Sequence, residues 1–161
     1  MILDPTKTHP AKDTYVILHK GRTSNKEASI QLIKEHLVSK SEIDGMLGEL
    51  MIDICIENED YPLADRIFNH LAQNEIRMQA KTYKDIINMR STYRPESVMQ
   101  VATMMVKERI EISSDVMGSL FKAYLLLKDA KIALQAFDQF CDGGGVPTLE
   151  DIETLLRLLY D

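Results

Sequence analysis

Apolar residues along this chain recur at intervals of three and four, the period of helices that bury one face, and not at the interval of two that marks strands. No Asn-Gly or Asp-Gly hairpin turn joins two alternating apolar runs, so the sequence predicts an all-helical protein. The pattern divides into nine segments, approximately 12–20, 24–38, 41–57, 60–74, 80–91, 95–108, 114–127, 129–141 and 148–160. They make four pairs and one extra helix. A small residue opens the second helix of each pair, at Ala28, Ala64, Val98 and Ala133, spaced 36, 34 and 35 residues apart. Four residues later come Leu32, Phe68, Ala102 and Phe137, and three further on, in the last three copies, Leu71, Met105 and Phe140. A period in this range signals stacked helix-turn-helix units, a solenoid.

Side chains able to accept orphan backbone N–H groups mark the helix starts. Ser24 with Glu27, Ser39 with Glu42 and Thr148 with Asp151 fit the capping-box pattern, and Asp60, Ser114 and Asp129 are further N-cap candidates. Pro62 and Pro95 fall in first turns, where a missing N–H removes no helical bond. Gly143, Gly144 and Gly145 are expected to end the eighth helix by reaching the left-handed conformation. They are not a phosphate loop, since no strand precedes them and no Lys-Ser/Thr follows. Met104, Met105 and Leu125 to Leu127 are expected to be core positions.

At 161 residues, 45% hydrophobic and 27% charged, the chain fits one domain, 1–161, of ordinary globular composition. The opening Met1-Ile2-Leu3-Asp4-Pro5 shows no targeting segment, and no apolar run approaches the roughly 18 residues that cross a bilayer. Two cysteines without partner spacing, Cys55 and Cys141, suit a reducing compartment. His9, His19, His36 and His70 are scattered singly, away from any metal-ligand spacing, so no metal and no cofactor is expected. Ser-His-Asp and Cys-His sets and nucleotide fingerprints are likewise missing, and the expectation is a protein that is not an enzyme.

Two repeat families share this period, and the size of the residues between paired helices separates them. The tetratricopeptide pattern wants Trp, Gly and Tyr in the first helix, whereas this chain has no Trp and places Ile52, Ile87, Phe121 and Leu156 at the first-helix contact. Bulky Leu71, Met105 and Phe140 face them late in the second helix. The segment Gly145-Val146-Pro147-Thr148 before Leu149-Glu150-Asp151-Ile152 resembles the Gly-x-Pro-x linker of the pentatricopeptide repeat family, and Thr82-Tyr83 and Thr14-Tyr15 resemble its first-helix opening. The resemblance covers residues 12–161, with units at approximately 12–44, 45–79, 80–113 and 114–148 and a partial unit at 149–161. It implies a right-handed α-solenoid of antiparallel helix pairs.

The resemblance further implies single-stranded RNA as ligand, mitochondrial residence, and a role in RNA processing, stability or translation. In that family one base is read per repeat, by a first-helix residue and the last residue of the unit. The corresponding pairs here are Glu49 with Gln79, Lys84 with Ser113 and Gly118 with Thr148. The usual first-helix reader is Asn, Ser or Thr, so Glu49 adds a charge and Gly118 offers no side chain.

Charge brings in a second class of partner. The formal net charge is −6, with a surplus of three basic residues over 1–40 and therefore −9 on the remainder. Affinity for nucleic acid comes largely from neutralising phosphates. The acids Glu49, Asp53 and Glu57, with Glu150, Asp151 and Glu153, would set negative potential on the first helices, which suits a basic protein partner in a scaffold without RNA contact. Leu155, Leu156, Leu158 and Leu159 of the terminal helix offer a second protein-binding face, since no further second helix covers them.

Overall fold

The computed structural model describes residues 10–161; His9, Lys7 and the opening residues 1–5 lie outside the described residues. The described residues form α1 (Pro10–Gly21), α2 (Lys26–Val38), α3 (Gly45–Glu57), α4 (Tyr61–Gln73), α5 (Ala80–Tyr93), a 3-10 turn (Pro95–Ser97), α6 (Val98–Lys107), α7 (Ser114–Leu126), α8 (Ala130–Asp142) and α9 (Leu149–Tyr160). No strand occurs among them, and no helix is long and apolar enough to cross a membrane.

Two compact units result, the first ending at Met78 and the second running Gln79–Asp161. In the first, α3 packs on α1, α2 and α4. In the second, α5 packs on α6 and α7, and α7 on α8 and α9, so first helices stack on first helices and each second helix covers its own partner. Leu47, Met51, Ile52, Ile54, Ile67 and Leu71 are fully buried in the first unit. Val98, Val101, Met105, Phe121 and Ala133 are buried in the second, where the rings of Phe121 and Phe137 meet at 5.4 Å. Each such large side chain contributes about 1.5–3 kcal/mol by leaving water.

The true period is 35, 34 and 35, and four independent features share it. Residues at the N-cap of first helices are Asp44, Gln79, Ser113 and Thr148. Those entering second helices are Asn25, Asp60, Arg94 and Asp129. Residues in the left-handed conformation after second helices are Lys40, Glu75, Arg109 and Gly144. Within second helices the buried small residues are Ser29, Ala64, Val98 and Ala133.

This corrects the first marker. Ala28 is exposed and Ser29 is buried, because Asn25, not Ser24, caps α2 by accepting from the Ala28 amide at 3.1 Å. Accordingly Ile33 is buried where Leu32 was expected, and His36 takes the place of Leu71, Met105 and Phe140, bonded to Thr14 at 3.2 Å and to the Glu42 carbonyl at 2.9 Å. Thr14-Tyr15 therefore sits two positions later in its helix than Thr82-Tyr83 does.

Other boundaries moved for local reasons. The Ser39 and Glu42 box does not form: Ser39 ends α2, Lys40 turns left-handed, and α3 starts four residues later than expected, capped by Asp44 accepting from the Leu47 amide at 2.8 Å. Ser114 lies inside α7, and its neighbour Ser113 occupies the N-cap position without a side-chain bond. Asp60, Asp129 and the Thr148–Asp151 box cap as expected. Of the three consecutive glycines only Gly144 has a positive φ, at 88°.

After Glu75, Arg109 and Gly144 the helices close with a six-to-one bond. The amides of Ile76, Ile110 and Gly145 donate to the carbonyls of Leu71, Met105 and Phe140 at 2.9, 2.8 and 2.8 Å. In the last copy the pair is Phe140 with glycine, where the others have an isoleucine. A Cβ on Gly145 would stand 2.0 Å from the Phe140 ring, so the ring fills the space an isoleucine side chain needs.

Candidate nucleic-acid interface

Glu49, Lys84 and Gly118 each lie five residues past the N-cap of α3, α5 and α7, a common position on successive first helices. Their environments differ. Glu49 is half-buried in the first unit. Lys84 is half-buried in the second. Gly118 is buried beneath Phe140, whose ring would lie 3.0 Å from a Cβ there, so this position has no side chain because the ring occupies its place. It supplies no reading group.

Gln79, Ser113 and Thr148 are all N-cap residues, which explains their shared extended backbone. Thr148 is exposed, and its hydroxyl oxygen accepts from the Asp151 amide at 3.1 Å while the Asp151 carboxylate accepts from the Thr148 amide at 3.2 Å. The cap uses one acceptor site of this oxygen, leaving its second lone pair and the hydroxyl proton for a ligand. Gln79 is exposed and makes no cap bond. The Ser113 Oγ is buried, has no hydrogen-bond partner, and lines a cleft walled by α6 and α8 that does not include Lys84. Glu49 and Gln79 belong to separate units.

What the second unit does assemble is a polar strip that sequence reasoning missed. One turn past Lys84 on α5 is exposed Asn88, and Ser119 of α7 donates to its side-chain oxygen. Lys122, exposed, follows Ser119 by one turn. Lys84, Asn88, Ser119 and Lys122 therefore form a run across two neighbouring first helices, with cations at its ends and an amide and a hydroxyl between. No hydrogen bond or ion pair engages Lys84 or Lys122 among the described residues. The signal in the sequence was the four-residue step from Lys84 to Asn88; the contact to Ser119, 31 residues away, was not local.

The acids of α3 are partly answered within the first unit. Arg22 donates through Nε to both carboxylate oxygens of Glu57 at 3.1 and 3.0 Å, its Nη2 also donates to Glu57, and Nη2 lies 3.9 Å from Asp53. The hydrogen bond to Glu57 raises the Arg22 pKa above its ordinary value; burial opposes it, and the charges of Glu57 and Asp53 add to it. Among the described residues no group of three His, Cys, Asp or Glu side chains could hold a metal ion.

These stacked antiparallel pairs define the class: a helical-hairpin repeat protein with the pentatricopeptide-repeat fold. Nuclear proteinaceous RNase P 2 from A. thaliana superposes with a TM-score of 0.72 at 10% identity over 94% of this chain and 35% of that one. The pentatricopeptide domain of Arabidopsis thaliana protein-only RNase P 1, in complex with tRNA, gives 0.67 at 12% identity over 94% and 81%. The protein PPR10, from maize, in complex with an 18-nucleotide psaJ RNA element, gives 0.60 at 13% identity over 92% and 22%. The chain thus spans about a third of the first of these and about a fifth of the last. No protein-family model and no curated protein matches the sequence.

Proposed function

We propose that this chain is a module that binds single-stranded RNA along its first helices, acting in RNA processing, stability or translation within a mitochondrion, and that it binds without catalysing. The observation that carries this is the strip Lys84, Asn88, Ser119 and Lys122, set in a fold shared with proteins solved in complex with tRNA and with psaJ RNA. The ammonium groups of Lys84 and Lys122 suit phosphates, and the Asn88 amide and Ser119 hydroxyl suit base edges, which is the division of labour between positioning and reading. In α3, Arg22 offsets Asp53 and Glu57 and lowers the repulsion a phosphate chain would meet.

The test is anisotropy of labelled single-stranded RNA with the whole chain at low salt. Lys84→Glu with Lys122→Glu is expected to weaken binding about tenfold or more for every RNA sequence and to flatten the salt dependence. Asn88→Ala is expected to change preference among sequences and leave the salt slope intact. An absence of low-salt binding would sink the proposal. The net charge of −6 favours a second reading, a scaffold for a basic protein without RNA contact.

A further inference from the structure

The cleft that holds Ser113 lies in the second-helix layer, apart from the strip on the first helices. Its volume is about 720 Å³. One wall is α6, with Met99, Ala102 and Val106 at helical spacing, and the other is α8, with Ile132, Ala136 and Gln139 at the same spacing. These walls do not touch each other; Met117 and Leu120 of α7 make the floor between them. The rim is apolar and open to solvent, with Val106 65%, Met99 49% and Ile132 37% exposed.

Three parallel features state what fits there. Two apolar stripes separated by a floor match a helix laid lengthwise, the arrangement in which an amphipathic helix enters a groove. The α8 lining runs from Ile132 to Gly143, about 16 Å at the helical rise, or roughly three turns of an incoming helix. The lining carries a single charge, Glu111, at the end where α6 and α8 both terminate and present their negative dipole ends; the exposed acids Asp138 and Asp142 and the exposed cations Lys107 and Arg109 near that end all lie outside the lining. The buried, unbonded Ser113 Oγ is also at that end and offers a donor and an acceptor. A nucleic acid is disfavoured by a lining that is apolar and negative.

We propose that this groove binds an amphipathic helix of a partner protein, with apolar residues on one face and a Lys or Arg in the turn that meets Glu111. The probe is a synthetic stapled helix of roughly three turns, with Leu at the spacing of one face and Lys in its last turn, and a twin with Glu in place of Lys. Anisotropy with the whole chain is expected to show saturable one-to-one binding of the Lys peptide. Val106→Lys and Ile132→Lys, at exposed positions that preserve folding by circular dichroism, are expected to weaken it at least about fivefold, and Glu111→Lys about tenfold while strengthening the Glu twin. RNA affinity is expected to be unchanged by all three. Absence of saturable binding, indifference to Val106→Lys and Ile132→Lys, or equal binding of both twins would overturn the proposal. So would self-association of the chain that Val106→Lys abolishes, which would make the occupant a second copy.

Discussion

Replacing Gly145 by alanine isolates one contact. The Gly145 backbone is not in the left-handed region, so alanine is permitted there, and by restricting the unfolded chain it should stabilise by about 0.4–1 kcal/mol if nothing else changed. The added Cβ, however, would stand 2.0, 2.2 and 2.5 Å from three carbons of the Phe140 ring, well inside the ordinary contact range. On the α7 side the ring faces Gly118, 3.0 Å from where a Cβ would be, so its room to shift is limited to the space that glycine leaves. Overpacking of this kind costs about 1–3 kcal/mol, which exceeds the entropic gain. The expected net loss is about 1–2 kcal/mol, or roughly 2–8 °C in melting temperature for a chain of this size. Urea unfolding of Gly145→Ala, Phe140→Leu and the double variant tests it, since the shorter leucine recreates the relation of Leu71 to Ile76 in the second pair. The double variant should be more stable than the sum of the single effects by at least about 0.5 kcal/mol. A neutral or stabilising Gly145→Ala, or additive effects, would refute the packing argument.

Three further outcomes follow from the same structure. Burial, helped by Asp60 and opposed by Lys34, pushes the Cys55 thiol up to about 12 from an ordinary 9.0. The folded state then holds its proton where the unfolded state loses it, so stability is full below pH 9 and falls above it at about 1.4 kcal/mol per pH unit; Cys55→Ala should lack that slope in urea titrations, and thiol reagents should modify half-buried Cys141 but spare Cys55. Arg109→Gly should stabilise by a few tenths to about 1 kcal/mol in thermal unfolding, because its φ of 57° strains any side chain, and Gly144→Ala should destabilise by about 1 kcal/mol. Arg22→Ala should cost under about 1 kcal/mol, since the pair it makes with Glu57 is largely exposed, and the loss should shrink with added salt.

The helices were legible because each apolar stripe is wide and each turn short. Bounds came within one to four residues everywhere, and the largest error, at α3, arose where two acceptable caps competed. Ser39 with Glu42 has the sequence form of a box, but Lys40 closes α2 in the left-handed conformation and leaves Asp44 to start the next helix. The left-handed closures themselves were hidden, because Lys40, Glu59, Glu75, Arg109 and Lys128 are not the glycine or asparagine that advertises such a turn. Glu59, Glu75, Arg109 and Lys128 hold their strain because bonds fix each on both sides, as at Glu75, whose amide donates to Ala72 at 3.1 Å while Ile76 donates to Leu71; at Lys40 its own amide donates to Leu37.

The candidate site was less legible, and for a reason that bears on how such repeats change function. Spacing alone finds the first-helix position, at Glu49, Lys84 and Gly118, but not the late second-helix residue folded over it, which at Gly118 is Phe140. The Phe140 ring takes up the space beside position 118, where glycine fits without displacing it, and the neighbouring side chain that stays half-exposed is Ser119, bonded to Asn88; on the proposed RNA-binding function, reading would pass to that neighbour. A Phe140→Leu variant that also carries Gly118→Asn tests this directly. It should keep its fold, because the shorter side chain frees the space the asparagine needs, and its preference among RNA sequences should shift relative to the Phe140→Leu parent in the anisotropy assay. If the preference stays the same while RNA still binds, position 118 lies away from the ligand regardless of Phe140, and the polar strip, not the repeat position, sets recognition.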